Sequence, residues 1–301
     1  MVSSPDKILL EIADRFSYKT DPQGAEPWAD IRRKNREIRQ TLFGKYADVV
    51  ALSDTDQGRQ FSPNRLKDGP TRVIIYVHGG GWCNCDLVTH ASIMTDLAAV
   101  TGHEVFGVNY PLAPENPYPA ALDVICAKVE AVYRQSQCEI ILAGDSAGAN
   151  LALATALRLR DEQSSIPISA LLLWYGCYRR MFETRSHLAF GDGSCGLTTD
   201  AMKQFWDHYV PEHIDPVYAD LSGFDMSGLP PCYLCEAECD CLTDDTRWLA
   251  GKLMEAGVPH FHDTYKGAVH GFLHFSGHYA PSLRTLEMAA GFLDVALPQE
   301  V

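Results

Sequence analysis

Long apolar runs are missing from this chain of 301 residues: no window approaches the roughly 18 uninterrupted apolar residues that a membrane-spanning helix needs. Basic residues are scarce, because 25 Lys and Arg stand against 39 Asp and Glu and give a formal net charge of −14. A chain this acidic is repelled by phosphate backbones and anionic lipid surfaces. We therefore expect neither nucleic acid nor a membrane as a partner.

A secretory signal is also missing from the first residues, Met1–Arg15, which have no basic segment followed by an apolar one. This absence predicts a cytoplasmic location, where thiols stay reduced. The ten cysteines are accordingly expected to be free.

What the sequence does contain is an alternation of short apolar runs with helix-length stretches, which predicts an α/β fold. The predicted strands lie at 72–77, 104–109, 139–144, 170–174, 232–236 and 261–266. The predicted helices lie at about 88–101, 118–134, 147–162, 243–256 and 282–296. We expect a mostly parallel central sheet flanked by helices.

Two segments depart from this alternation. Residues 1–45 are polar and have apolar residues at helical spacing, and residues 178–228 carry loops and an aromatic helix. We interpret both as pieces of a helical cap over the sheet. The core of the domain is then formed by residues 46–177 and 229–301.

A candidate nucleophile lies in Gly144-Asp-Ser-Ala-Gly148, which fits the pattern G-x-S-x-G. The motif follows an apolar strand and begins an Ala-rich helix, and this order lifts a serine hydroxyl clear of a sheet. Ser146 is therefore predicted to be catalytic. The simpler alternative is an ordinary Gly/Ser turn before a helix.

Backbone amides that could bind an oxyanion are predicted at a second motif, His78-Gly-Gly-Gly-Trp82. A glycine run after a strand exposes N–H groups to a developing negative charge. We assign this role to Gly80 and Gly81, with Ala147 as the third donor. His78 itself is expected to hold the loop.

A serine nucleophile needs a base and a carboxylate that orients it, and these follow the serine in the order acid, histidine. His270 is the predicted base, because it follows the last predicted strand in a loop flanked by Gly267 and Gly271. Asp240 is the predicted acid, since it stands just beyond the strand at 232–236, at the usual catalytic edge of a parallel sheet.

Two further patterns are not expected to bind a cofactor or metal. Gly191–Gly196 matches G-x-G-x-x-G, but no β-branched strand precedes it. Cys232 and Cys235 lie three apart on a predicted strand, so their side chains face opposite sides and cannot share one zinc ion. We therefore predict no metal and no cofactor.

Taken together, these motifs resemble the hormone-sensitive-lipase family of α/β-hydrolases, and within it the bacterial acetyl esterases. The motifs that carry the resemblance are His78–Trp82, Tyr110-Pro-Leu-Ala-Pro-Glu115, Gly144–Asn150, Asp240-Cys-Leu242 and His270-Gly-Phe272. Cys241 stands where the family usually has proline. Glu115 is interpreted as a loop anchor.

The resemblance implies an α/β-hydrolase fold and a serine esterase in which Ser146, Asp240 and His270 form the triad. Bulky residues of the cap and catalytic loops would limit the substrate to short acyl chains, from acetyl to about hexanoyl. These candidates are Trp82, Phe190, Phe205, Trp206, Tyr209 and Phe272.

Several alternatives stay open. The same triad could serve an amidase or formamidase, or the fold could bind a ligand without catalysis. The expected partner is a small-molecule ester, and the protein is expected to be a monomer or homodimer. Because Cys83, Cys85, Cys239 and Cys241 flank the catalytic motifs, we also expect bulky thiol reagents to slow the enzyme.

Overall fold

A computed structural model describes residues 3–16, 26–55, 58–67 and 72–297 of the chain. Its described strands form one sheet in the order β1-β2-β4-β3-β5-β6-β7-β8. Their bounds are β1 Val50–Thr55, β2 Gly58–Pro63, β3 Arg72–Val77, β4 Glu104–Val108, β5 Glu139–Asp145, β6 Ile168–Trp174, β7 Cys232–Cys239 and β8 His260–Val269.

The six predicted strands are confirmed as β3 to β8, and all neighbouring pairs among them are parallel. The prediction missed β1 and β2, which extend the sheet by antiparallel pairing beside β4. The sheet is therefore mostly parallel, as expected, with an antiparallel edge. Since parallel strands end at one edge, the loops that follow β3, β5, β7 and β8 meet there.

Helices cover both faces of the sheet. The described helices are α1 Lys7–Phe16, α2 Trp28–Arg39, α3 Ala91–Thr101, α4 Ala120–Ser136, α5 Ala147–Asp161, α6 Arg185–Phe190, α7 Thr199–Tyr209, α8 Thr243–Glu255 and α9 Ala280–Ala296. One apolar cluster joins α4, α5 and α8 to one face, and a second joins α3 and α9 to the other. Each face of the sheet is thus buried, which explains why β3 and β5 are apolar apart from Arg72, Glu139 and Asp145 at their ends.

Helices α2 and α7, from the two predicted cap segments, meet above the carboxyl edge of the sheet. The Trp28 ring lies 6.1 Å from the Phe205 ring and 5.6 Å from that of His208. Arg32 of α2 donates to the Cys83 carbonyl oxygen at 2.7 Å and forms an ion pair of 2.7 Å with Glu115. Residues 1–2 and 17–25 of the predicted segment 1–45, and 56–57, 68–71 and 298–301 of the predicted core, lie outside the described residues.

Among the described helices, none combines the length and apolarity that crossing a membrane requires.

Candidate active site

Ser146 lies in a sharp turn between β5 and α5, with backbone angles φ 53° and ψ −122°. A side chain on Gly144 would collide with the carbonyl oxygen of Gly148, and one on Gly148 with that of Val77. The two glycines therefore permit the close approach of strand and helix that this turn needs. The geometry agrees with the strand, turn and helix predicted from the motif.

The predicted histidine and aspartate both reach Ser146 through one chain of hydrogen bonds. The His270 Nε2 atom lies 2.9 Å from Ser146 Oγ, and His270 Nδ1 lies 2.7 Å from Asp240 Oδ2. Asp240 is buried, and its Oδ1 accepts a hydrogen bond of 3.0 Å from the Leu242 amide. Because the carboxylate accepts the Nδ1 proton, Nε2 is free to accept the serine proton.

The glycine loop after β3 takes backbone conformations that favour glycine. Gly80 and Gly81 have φ values of 118° and 60°. A side chain at Gly80 would meet the Asn84 carbonyl, and one at Gly81 would meet the Phe205 ring. Among the described residues, the amides of Gly80, Gly81 and Ala147 donate to no protein atom, so they are available to a bound oxyanion.

A buried polar cluster, which the motif analysis missed, supports this loop from below. Asp145 Oδ1 accepts from Tyr76 Oη at 2.7 Å and from the Gly79 amide at 2.9 Å. Burial raises the pKa of Asp145, but the nearby His90 and the hydrogen bond from Tyr76 lower it by more. The net shift of the Asp145 pKa is therefore downward. A charged Asp145 thus fixes the start of the loop. Its position beside Ser146 in the G-x-S-x-G motif was the available signal.

His78 has the structural role expected for it. Its ring stacks on Tyr110 at 4.2 Å, and the Tyr110 hydroxyl donates to the His78 carbonyl oxygen at 2.7 Å. Burial lowers the pKa of His78 to about 4, so the ring is neutral near pH 7.

A cavity of about 170 Å³ opens beside Ser146 and His270. Its other described lining residues are Asn35, Arg39, Gly80, Gly81, Asn84, Cys85, Asp145, Leu197, Met202, Phe205, Gly271 and His274. Of the six predicted pocket residues, Phe205 lines this cavity. Asn35 and Arg39 were not predicted, because residues 1–45 carried no motif.

The other five predicted pocket residues pack elsewhere. Trp82 stacks on Tyr209 at 4.5 Å and lies 4.7 Å from the Trp206 ring, and all three are buried. Phe272 is buried against Tyr175, and Phe190 packs against the apolar cluster on the α3 side of the sheet. These aromatic side chains pack against other parts of the protein and do not line the cavity.

The described residues give little support to a metal or dinucleotide site. All ten cysteines are free and buried, and Cys232 and Cys235 belong to clusters on opposite faces of the sheet, as predicted. The segment before Gly191 is helix α6, which differs from the strand that a dinucleotide motif requires. One group in the described chain, His90, Asp145 and His274, has metal-ligating atoms within 4.8 Å of one another.

Comparisons with known proteins agree with the fold and the motifs. A family model described as the alpha/beta hydrolase fold matches residues 74–274. The acetyl esterase of Salmonella typhi is 37% identical over 241 residues, which are 77% of this chain and 71% of that relative. The chain belongs to the hormone-sensitive-lipase family of α/β-hydrolases. Like its relatives in that family, it is a serine carboxylesterase.

Solved structures support the same conclusion. A thermostable esterase from Pseudomonas putida ECU1011 is similar with a TM-score of 0.86 and 26% identity, over 99% of both chains. An ester-hydrolase from the metagenome of Lake Arreo, complexed with a derivative of bipyridine phosphonate, is similar with a TM-score of 0.83 and 27% identity, over 95% of both chains. The fold of this family therefore extends over nearly the whole chain.

Proposed function

We propose that the protein hydrolyses esters of short acyl chains, from acetyl to about hexanoyl, through a covalent acyl-enzyme on Ser146. The observation that carries this proposal is the hydrogen-bonded chain from Ser146 Oγ to His270 at 2.9 Å and from His270 to Asp240 at 2.7 Å. This arrangement supplies a nucleophile, a base and an orienting carboxylate in hydrogen-bond reach of one another.

The proposed reaction has two halves. His270 Nε2 takes the Ser146 proton while Oγ attacks the ester carbonyl, and the Gly80, Gly81 and Ala147 amides stabilise the negatively charged oxygen. The protonated His270 then donates its proton to the departing alcohol. Water, deprotonated by the same histidine, attacks the acyl-serine, and collapse of that intermediate releases the acid and restores Ser146.

The size of the cavity favours a small substrate. Its volume of about 170 Å³ is below the roughly 300–1,000 Å³ typical of sites for drug-sized ligands. Leu197, Met202 and Phe205 form apolar parts of the wall. The Salmonella relatives named acetyl esterase point in the same direction.

We further propose that residues 1–45 and 178–228 act as one cap. Helix α2 comes from the first segment and contributes Asn35 and Arg39 to the cavity wall, while α7 comes from the second and contributes Met202 and Phe205. The contact between Trp28 and Phe205 joins the two segments directly.

Two experiments test the catalytic proposal. The Ser146→Ala variant should lose hydrolysis of p-nitrophenyl acetate by a factor of about 10⁴ or more, whereas Ser136→Ala, at an exposed position, should remain active. Full activity of Ser146→Ala would refute the nucleophile. Activity of the wild-type protein should fall steeply from acetate or butyrate esters to decanoate, and equal turnover of palmitate would refute the short-chain preference.

A further inference from the structure

Arg39 differs from the other arginines of helix α2, because it has no carboxylate partner among the described residues. The other three form ion pairs: Arg32 with Glu115 at 2.7 Å, Arg33 with Glu37 at 2.9 Å and Arg36 with Asp86 at 3.1 Å. The chain has 39 acidic residues and 25 basic ones, so carboxylates are in excess. An arginine with only a structural role would therefore be expected to pair with one. An unpaired arginine here therefore requires an explanation.

The Arg39 guanidinium is held in place by a neutral partner. Its Nη1 donates to His274 Nε2 at 2.6 Å. Burial, and then the charge of Arg39 itself, lower the pKa of His274 well below its usual value, so this ring is uncharged and its Nε2 can accept a hydrogen bond from Nη1. The bond fixes the direction of the guanidinium without neutralising its charge.

Arg39 also has unused hydrogen-bonding capacity. Its Nε atom is buried and has no hydrogen-bond partner among the described residues. A guanidinium carries five N–H donors, and a buried donor without a partner is costly. A bound anion would satisfy these donors, and a carboxylate matches their planar arrangement.

Arg39 lies in the same cavity as the residues proposed to carry out the reaction. Arg39, Ser146 and His270 line the same cavity. Asp145 lines it too, but its oxygens accept hydrogen bonds from Tyr76, the Gly79 amide and Tyr175. The Asp145 charge is thus already satisfied by donors below the loop, whereas that of Arg39 is not.

We propose that Arg39 determines specificity by binding a carboxylate of the substrate, so that the preferred esters carry a negative charge a few atoms from the bond that is cleaved. This inference rests on the proposed function of Ser146. The carboxylate could belong to the acyl part, as in the half-ester of a dicarboxylic acid, or to the alcohol part, as in an acylated hydroxy acid.

The same contact argues against a metal ion at the His90, Asp145 and His274 group. The Nε2 atom of His274 accepts from Arg39, and the guanidinium charge would repel a cation beside it. His274 is better explained as the neutral support of a substrate-binding arginine.

The test compares pairs of esters that differ in charge and little in shape. For the acyl side, the pair is ethyl hydrogen succinate and its amide analogue ethyl succinamate. For the alcohol side, it is 3-acetoxypropanoate and 3-acetoxypropanamide. The measured quantity is the ratio of kcat/KM for the acid to kcat/KM for the amide. Each rate is measured by pH-stat titration and corrected for the ionisation of the products.

In the Arg39→Gln variant this ratio should fall about 10- to 100-fold for at least one pair, as expected for the loss of a charge-assisted hydrogen bond. The change should come mainly from KM, because the carboxylate is bound before and during the reaction alike. Arg39→Lys, which keeps the charge, should recover part of the ratio. Arg33→Gln removes an equal charge from an exposed, paired site on the same helix and should leave the ratio unchanged.

A ratio in Arg39→Gln within about twofold of wild type for both pairs would overturn the inference, and so would an equal loss for acid and amide. Loss of the proposed function is distinguishable from either result. If Ser146 were not the nucleophile, the Ser146→Ala variant would still hydrolyse the amide-bearing esters, whatever the ratio of kcat/KM for acid and amide.

Discussion

The contact between Gly81 and Phe205 predicts that the cap helps to set the geometry of the oxyanion site. A Cβ atom at position 81 would lie 2.5, 2.6 and 2.7 Å from three atoms of the Phe205 ring, where ordinary contacts are 3.4–4 Å. The Gly81→Ala variant must therefore move the loop, the Phe205 ring or α7 by about 1 Å. A displacement of that size in a catalytic group costs about 100-fold in rate, and a lost oxyanion donor costs about 10²–10³.

The expected result is a fall of about 100- to 1,000-fold in kcat/KM for p-nitrophenyl acetate, or about 2.7–4 kcal/mol of transition-state stabilisation. If the clash with the ring is the cause, removing the ring should relieve it. We expect Phe205→Ala alone to cost less than about tenfold, and the Gly81→Ala/Phe205→Ala double variant to regain at least tenfold over Gly81→Ala.

The refuting outcome is a double variant whose loss equals the product of the two single losses. Such additivity would mean that the two sites do not interact. The left-handed φ of 60° at Gly81 costs an alanine about 1–2 kcal/mol in either background. Urea denaturation of all four proteins separates this stability effect from the change in rate.

Three other predictions follow from single groups. Asp240→Asn should lower kcat about 10⁴-fold because the amide favours the wrong His270 tautomer, whereas Asp200→Asn, at a side chain that is 94% exposed, should have little effect; similar rates for both variants would remove Asp240 from the triad. Burial lowers the pKa of His103 from 6.5 to about 4, so its stabilising contribution is complete above pH 6.5 and is lost as the pH falls towards 4. From pH 7.5 to 5.5, wild type should therefore lose about 1.4 kcal/mol more than His103→Gln in urea titrations, and parallel losses would contradict this. All ten cysteines are buried, and burial raises the pKa of Cys83 and Cys239 to about 12. Cys85 lines the cavity beside Ser146, but burial raises the pKa of its thiol too. Contrary to the sequence-based expectation, bulky thiol reagents should therefore leave the native enzyme active, and rapid inactivation without unfolding would show that these thiols are accessible.

The sequence predicted the six parallel strands because each is a buried apolar run, and this signal does not depend on the rest of the fold. It missed β1 and β2 for the converse reason. In β1 one residue of six is buried, and β2 has three, so neither carries the apolar pattern of a central strand. Their pairing depends on the exposed edge of β4, which no local pattern reveals.

The proximity of the three proposed triad residues was predictable for a similar reason. Ser146, Asp240 and His270 each follow a strand, and the carboxyl ends of parallel strands meet at one edge. The cavity wall was not predictable, because bulk alone does not distinguish a pocket residue from a core residue. Trp82 and Tyr209 stack on each other and are buried, whereas the less hydrophobic Arg39 reaches the cavity.

The contacts of the cap imply that specificity and catalysis are linked in this enzyme. Arg32 of α2 donates to the Cys83 carbonyl oxygen, two residues beyond Gly81, while Phe205 of α7 contacts Gly81 itself. The helix that carries Arg39 is thereby attached to the loop that carries the proposed oxyanion donors. A substrate whose carboxylate draws Arg39 inward would pull on the same helix. Since the Gly80 and Gly81 amides are already held by these contacts, we expect the bound carboxylate to be stabilised alike before and during the reaction, so that its loss is seen mainly in KM.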